Sequence, residues 1–243
     1  HIKTLRQMDV LYLRLESRFV NVCTWALPPR RWLYGSPVVV WEFNTTPEHR
    51  LTRGTSQKHV DQIVKSFRHY GRGCDLAVCM TENLADYVHR TFEIQRVCVI
   101  PNGSDPDQFR PGIPQVKRMS PFEGMFNLVW VGTGKENWHD LELLRDAAEE
   151  ILTLDTHKNF TFHLIGPDLN GIMADMPLNV FYWGAEYYRY LPNWLAAMDV
   201  GLSLYKPGPA DYATPLKVFD YMSSGLAVVS TPSPFMETLF GQL

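Results

Sequence analysis

Two segments of this chain hold residues whose types and spacing could do chemistry. The first is Ala213-Thr214-Pro215-Leu216-Lys217-Val218-Phe219-Asp220-Tyr221-Met222-Ser223-Ser224-Gly225. Thr214 suits a helix N-cap, Pro215 the first helical position, and Gly225 the position just past the helix end. Leu216, Phe219 and Met222 are expected to face the core. Lys217 and Asp220, three residues apart, then share the opposite face. A cation in the first turn opposes the helix dipole, at a cost of about 0.3 kcal/mol or more. A diphosphate bound at that helix end removes the conflict. A carboxylate one turn along can accept hydrogen bonds from ribose hydroxyls. The alternative is an exposed Lys–Asp pair, worth ~0.3 kcal/mol.

The second segment is Val131-Gly132-Thr133-Gly134-Lys135-Glu136-Asn137. Glycines let backbone N–H groups approach an anion, the following helix points its positive end there, and Lys135 adds a full charge. A tight strand-to-helix turn with a solvated lysine reads equally well.

The elements that must position these residues alternate along the chain. Short apolar runs at 10–13, 37–41, 76–80 and 97–100 read as strands. Between them, Val60, Ile63, Val64 and Phe67 recur at helical spacing, as do Leu84, Tyr87, Val88 and Phe92 behind a Thr81 cap. Residues 101–125 break the rhythm with five prolines. It then resumes, with strands expected at 126–131, 160–165, 180–184, 200–205 and 226–229. Helices are expected from Asn137 through Leu152, over 191–198 and over 215–224. Nearly continuous apolar strands, each followed by a helix, predict parallel sheets covered on both faces. The expected organisation is a first α/β domain over 1–110, a linker at 111–124 and a second over 125–243. No solenoid repeat is present.

Composition narrows the partners. Net charge is −3 and basic residues are scattered, which argues against a broad nucleic-acid footprint. No apolar run approaches the ~20 residues of a membrane-spanning helix, and no signal peptide opens the chain. The four cysteines lack metal-ligand spacing, so no metal is expected, and reduced thiols fit a cytoplasmic compartment. Aromatics reach 13%, enough to build cores and to line sugar or base sites. Pro28-Pro29-Arg30-Arg31-Trp32-Leu33-Tyr34 mixes basic and aromatic residues. That is the composition either of a peripheral contact with the inner membrane face or of an ordinary surface loop. The chain opens at His1 without Met, so its ends read as cuts.

At the Lys217 segment the sequence resembles the donor-binding signature of family 4 glycosyltransferases, in the variant Pro-x-Lys-x-x-Glu-Tyr-Met-x-x-Gly-x-x-Val-Val. Here it stands as Pro215, Lys217, Asp220, Tyr221, Met222, Gly225, Val228 and Val229. Ile100-Pro101-Asn102-Gly103-Ser104-Asp105 with Phe109-Arg110-Pro111 resembles the family's "IPNGVD…F.P". Val131-Gly132 and Val180-Phe181-Tyr182-Trp183-Gly184 fall at its two glycine turns. The resemblance implies a GT-B architecture of two Rossmann-like, doubly wound parallel-sheet domains, the N-terminal one incomplete here. It implies transfer of a sugar from a nucleotide-diphosphate sugar (UDP, GDP or dTDP), with retention and with neither metal nor cofactor. Acceptors would be a glycan or a lipid-linked glycan, as in polysaccharide synthesis.

On this resemblance Lys217, Asp220 and Asp211 would be catalytic. Gly132, Thr133, Gly134, Lys135, Trp183, Gly184, Tyr212, Thr214, Pro215 and Leu216 would line the nucleotide sugar. Glu42, Asn44, His49 and Asn102 would lie on the acceptor side. Three departures stand out. Tyr212 occupies the place of the family's first glutamate, eight residues before Asp220, with Asp211 beside it. Thr133 and Gly134 stand where the family has Arg, and Asp220 replaces Glu. A non-catalytic module binding a nucleotide or a partner glycosyltransferase, or a sugar-nucleotide epimerase, are the alternatives.

Overall fold

Runs of β-branched and aromatic residues form the strands of this protein, and apolar residues at helical spacing form the layers that cover them. The computed structural model describes residues 9–14, 38–134, 138–154, 159–167, 171, 173–212 and 214–241. They divide into two units. One runs from the first described residues to Pro101 and takes in Asp211, Tyr212 and Thr214; the other comprises Asn102–Ala210 and Pro215–Gly241.

The first unit contains strands β1 (Val10–Arg14), β2 (Val38–Phe43), β3 (Leu76–Cys79) and β4 (Val97–Val99), with helices α1 (Gln57–Gly71) and α2 (Glu82–Phe92). The sheet order is β1-β2-β3-β4, all parallel, with Val10 opposite Val38 and Val40 opposite Leu76. Alternate residues of β2, Val39, Trp41 and Phe43, are buried against Phe67 of α1 and Phe92 of α2. The ring centroids of Phe43 and Phe67 lie 5.7 Å apart and those of Phe67 and Phe92 5.2 Å. Such pairs add about 0.5–1.5 kcal/mol each beyond their buried area. Thr81 caps α2 as expected, its hydroxyl accepting from the Leu84 amide at 3.1 Å.

The second unit contains β5 (Phe126–Val131), β6 (Phe160–Ile165), β7 (Val180–Tyr182), β8 (Val200–Ser203) and β9 (Ala227–Ser230). Its helices are α3 (Leu141–Thr153), α4 (Leu191–Leu195), α5 (Leu216–Ser223) and α6 (Pro234–Phe240). The sheet order is β7-β6-β5-β8-β9, all parallel. Within the unit that is third, second, first, fourth, fifth. The order reverses between β5 and β8, the switch point outside which ligands sit at the strands' carboxyl ends. β8 is buried along its whole length and β6 nearly so, as strands covered on both faces must be.

Several expectations are corrected. The stretch read as a linker at 111–124 is packed structure. Phe109, Met119 and Phe122 are buried in the second unit's core, Ser223 Oγ donates to the Phe109 carbonyl at 2.5 Å, and the division falls at Pro101/Asn102. The helix expected to begin behind Asn137 begins at Leu141, capped by Asp140, whose carboxylate accepts from the Leu143 amide; Asn137 lies outside the described residues. The cause is local pairing. Asp140 N–H donates to Leu204 and Lys206 N–H to Trp138, holding 138–140 extended and ending β8 at Ser203. Helix α6 was not expected, although Ser233 caps it and Pro234 opens it.

The largest correction concerns α5. The helix opens at Leu216, with Pro215 in the cap position and no side-chain cap, so neither Thr214 nor Pro215 takes its expected place. Its inward residues are Val218 and Tyr221, both fully buried; Leu216 is 57% exposed. Tyr221 decides the orientation. Its ring lies over Gly201 of β8, where an added Cβ would strike it, and its hydroxyl accepts from the Val131 amide at 2.9 Å. The C-terminus closes as expected on Gly225 (φ 84°), with Gly225 N–H donating to Met222 and Leu226 N–H to Tyr221.

Candidate functional site

Three glycine turns line the carboxyl edge of the second sheet. Gly132 follows β5, Gly166 follows β6 and Gly184 lies two residues past β7. Gly132 N–H donates to Ile165 at 3.0 Å and Gly166 N–H to Gly184 at 2.8 Å. The turns are so close that a Cβ on Gly166 would overlap the Gly132 carbonyl oxygen. Thr133 is exposed at the rim and Gly134 adopts φ 64°. Lys135 lies outside the described residues.

Lys217, on the first turn of α5, reverses the usual lysine arrangement. Lysines bury the stem and keep the ammonium in water. Here the residue is partly exposed but its Nζ is buried, with no hydrogen-bond partner among the described residues. Nζ lies 4.3 Å from the centroid of Trp130 and 5.0 Å from that of Tyr205. His139 closes the box, edge-on to both rings, and its Nδ1 likewise has no hydrogen-bond partner among the described residues. Burial pushes the Lys217 ammonium down to about 7. Burial, then the Lys217 charge, holds His139 at about 4. Trp130 is the penultimate residue of β5 and Tyr205 follows β8, so this box stands at the switch point of the sheet.

Asp220, one turn along α5, is only 3% exposed. Ser104 Oγ donates to its Oδ1 at 2.6 Å, and the Tyr188 hydroxyl lies 3.1 Å from Oδ1 and 3.3 Å from Oδ2. Burial raises its pKa above the ordinary aspartate value, and these two donors partly offset that. Lys217 and Asp220 thus occupy one helix as expected, on its inward side rather than a solvated face. Neither Ser104 nor Tyr188 was singled out as a functional residue in the sequence. Their partner is 116 and 32 residues away, and no local pattern announces such a bond.

Trp183 turns its ring inward. Its Nε1 donates to His163 Nδ1 at 3.0 Å, which leaves the His163 proton on Nε2, 3.0 Å from Asn127 Oδ1. Thr161 also donates to that oxygen, at 2.7 Å. The carbonyl of Gly184 is occupied by Gly166, and the Trp183 amide by Leu164.

The remaining candidates, Asn102 apart, group with the first unit. Asp211 and Tyr212 are half-buried, and the Tyr212 ring meets Tyr87 edge-on at 6.0 Å; Thr214 is buried. Glu42 pairs with Arg14 at 3.5 Å, and the Asn44 amide, turned to satisfy both, donates to Glu42 and accepts from Arg14. His49 lies in the short helical turn Pro47–Arg53, where Glu48 accepts the Tyr87 hydroxyl at 2.7 Å. Asn102 begins the second unit.

These two parallel-sheet units are Rossmann-like, the architecture of the GT-B class. Residues 126–240, most of the second unit, match the family described as Glycosyl transferases group 1. The chain is 27% identical over 164 residues to TuaH of Bacillus subtilis (strain 168), named as a teichuronic acid biosynthesis glycosyltransferase, across 62% of this chain and 39% of that protein. Among solved structures, sucrose-phosphate synthase from Thermosynechococcus elongatus superposes with TM-score 0.69 at 12% identity, over 95% of this chain and 57% of that one. The E. coli trehalose-6-phosphate protein solved with UDP-2-fluoro glucose gives 0.67 at 14%, over 95% and 60%. S. aureus TarM, solved with UDP and α-GlcNAc-glycerol, gives 0.60 at 16%, over 85% and 39%. The chain therefore spans about two fifths of its curated relative and three fifths or less of these structures. Among the described residues, no helix is long and apolar enough to cross a membrane.

Proposed function

We propose that this chain is part of a glycosyltransferase that moves a sugar from a nucleotide-diphosphate sugar to a glycan acceptor, with retention and without a metal. The observation that carries this is the Lys217 ammonium. It is buried without a hydrogen-bond partner among the described residues, at the switch point of a unit that matches the glycosyltransferase group 1 family. A buried unpaired cation costs free energy that an anion can return. A diphosphate within reach of Lys217 and of the amides at the Leu216 helix end supplies that anion. As the bond from the sugar C1 to the diphosphate breaks, its electron pair leaves with the nucleoside diphosphate. The acceptor hydroxyl bonds to C1 on the same face and gives its proton to the departing diphosphate oxygen, and the Lys217 charge offsets the charge growing on the leaving group. The Asp220 end of the site meets the ribose, and the glycine turns at Gly132 and Gly184 border the nucleotide. TuaH and the UDP-bound neighbours support a polysaccharide acceptor and a uridine donor.

The test is thermal stabilisation by UDP, GDP and dTDP, repeated on Lys217→Ala. Saturation at about a hundred times Kd stabilises by ~2.7 kcal/mol. A shift with one nucleotide that Lys217→Ala abolishes supports the reading; no shift with any of them overturns it.

A further inference from the structure

Tyr188 combines two properties that seldom coincide. It is 54% exposed, and yet both ends of its side chain are held. Its hydroxyl is committed to the Asp220 carboxylate, 3.1 Å from Oδ1 and 3.3 Å from Oδ2. Its ring packs at 51° and 5.1 Å on Phe109, itself fully buried. Phe109 is fixed in turn, because Ser223 of α5 donates to its carbonyl. An exposed tyrosine in a turn ordinarily samples several rotamers. This one presents a single face at no further entropic cost on binding.

Its position gives that face a use. Tyr188 lies in the segment that leaves the carboxyl end of β7, four residues past the Gly184 turn. Its partner Asp220 is one helical turn from Lys217, a separation of about 5–6 Å between Cβ atoms. Asp220 itself is 3% exposed and already receives two donors, Ser104 and Tyr188. Between the buried carboxylate and solvent stands the phenol. A phenol whose proton is given to a carboxylate offers its oxygen lone pairs as a strengthened acceptor, and its ring as a stacking surface.

We propose that Tyr188 is the residue this site presents to the nucleoside of its ligand, and that Asp220 acts on the nucleoside through Tyr188 as a positioning residue. The inference rests on the proposed nucleoside-diphosphate site and names the contact within it. Stacking on the ring tolerates different bases, because every base has a π-face. The phenol oxygen accepts from a ribose hydroxyl.

The experiment is calorimetric titration of the chain with whichever of UDP, GDP and dTDP stabilises it, and in parallel with inorganic pyrophosphate. Tyr188→Leu removes an exposed ring and retains the fold, which near-UV circular dichroism checks. It is expected to weaken the nucleoside diphosphate at least tenfold and to leave pyrophosphate within twofold. Tyr188→Phe and Asp220→Asn are each expected to weaken the nucleotide about threefold, and the double variant no further than either alone. Unchanged nucleotide affinity in Tyr188→Leu overturns the inference and leaves the donor site standing. Losses that multiply in the double variant also overturn it, since Asp220 then touches the nucleoside directly. Failure of wild type to bind either ligand removes the donor site and the inference together.

Discussion

The ammonium of Lys217 lies 4.3 Å from the centroid of the Trp130 ring, buried, with no hydrogen-bond partner among the described residues. The ring face attracts the cation but does not replace its lost hydration. The folded state therefore holds this proton more weakly than the unfolded chain, at about 7 against the ordinary 10.5. Between those two values the unfolded chain binds more protons, so stability rises with pH across that window. Below about pH 7 both states are protonated and the penalty is complete. Lys217→Met keeps the length and fills the box with a side chain that packs well on aromatics. It is expected to raise stability at pH 6–7 by about 1–4 kcal/mol. The gain should shrink steadily toward pH 9.5. Denaturant midpoints of both proteins across that range check it; equal slopes with pH would show that Lys217 is not the titrating group.

A bound diphosphate should restore the proton. At pH 8.5 the lysine, held at about 7, is mostly neutral, and an adjacent anion pulls it back toward the ordinary range. Nucleoside diphosphate binding is then expected to take up close to one proton at pH 8.5 and much less at pH 6. Calorimetry in two buffers of different ionisation enthalpy measures the uptake. In Lys217→Met it should vanish together with most of the affinity.

Most strands and the alternation of layers were legible because continuous apolar runs such as Phe160–Ile165 leave few other readings. The candidate site was legible only in outline. In α5, two sets of apolar residues are spaced three apart: Phe219 with Met222 behind Leu216, and Tyr221 behind Val218. The presence of Lys217 favoured the wrong set. What decides between them is the fit of Tyr221 over Gly201, a contact 20 residues away in sequence. Prolines at 101–125 suggested a linker. Phe109 stands alone, and Met119 and Phe122 share one short helical turn, Lys117–Phe122, that holds Pro121, so the apolar pattern is too brief to be read and the packing appears only in three dimensions. Tyr188 sits in a run of tyrosines, and only its bond to Asp220 distinguishes it.

That fit of ring on glycine is itself testable. Gly201→Ala adds a Cβ where the Tyr221 ring already lies, and neither can retreat. The ring is fully buried, and its hydroxyl is tied to the Val131 amide. The expected cost is about 1–3 kcal/mol in a denaturant titration. Tyr221→Leu in the same background relieves the overlap and should recover part of that loss. A neutral Gly201→Ala would mean that α5 does not sit on β8 in this register.

His163 sets the behaviour of the second unit in acid. It accepts from Trp183 at Nδ1, so a second proton would face the indole N–H with no acceptor left. Burial holds the ring at about 4, and His139 is held at about 4 as well. An unfolded histidine takes its proton near 6.5. Between those values the unfolded chain binds the extra protons, so the two histidines cost nothing above pH 6.5 and destabilise the fold as pH drops toward 4. Each histidine contributes up to ~1.4 kcal/mol per pH unit in that window. His163→Phe keeps the aromatic packing against Phe122 and Phe181 but strands Trp183 Nε1 and leaves Asn127 Oδ1 with Thr161 as its donor. At pH 7.5 it is expected to cost about 1–3 kcal/mol. The variant should then lose stability between pH 6.5 and 4.5 at a clearly shallower slope than wild type, since of the two histidines that burial holds low His139 is the one left. Urea midpoints at half-unit steps of pH separate the two effects. A wild-type slope retained in the variant would place the acid-sensitive proton elsewhere.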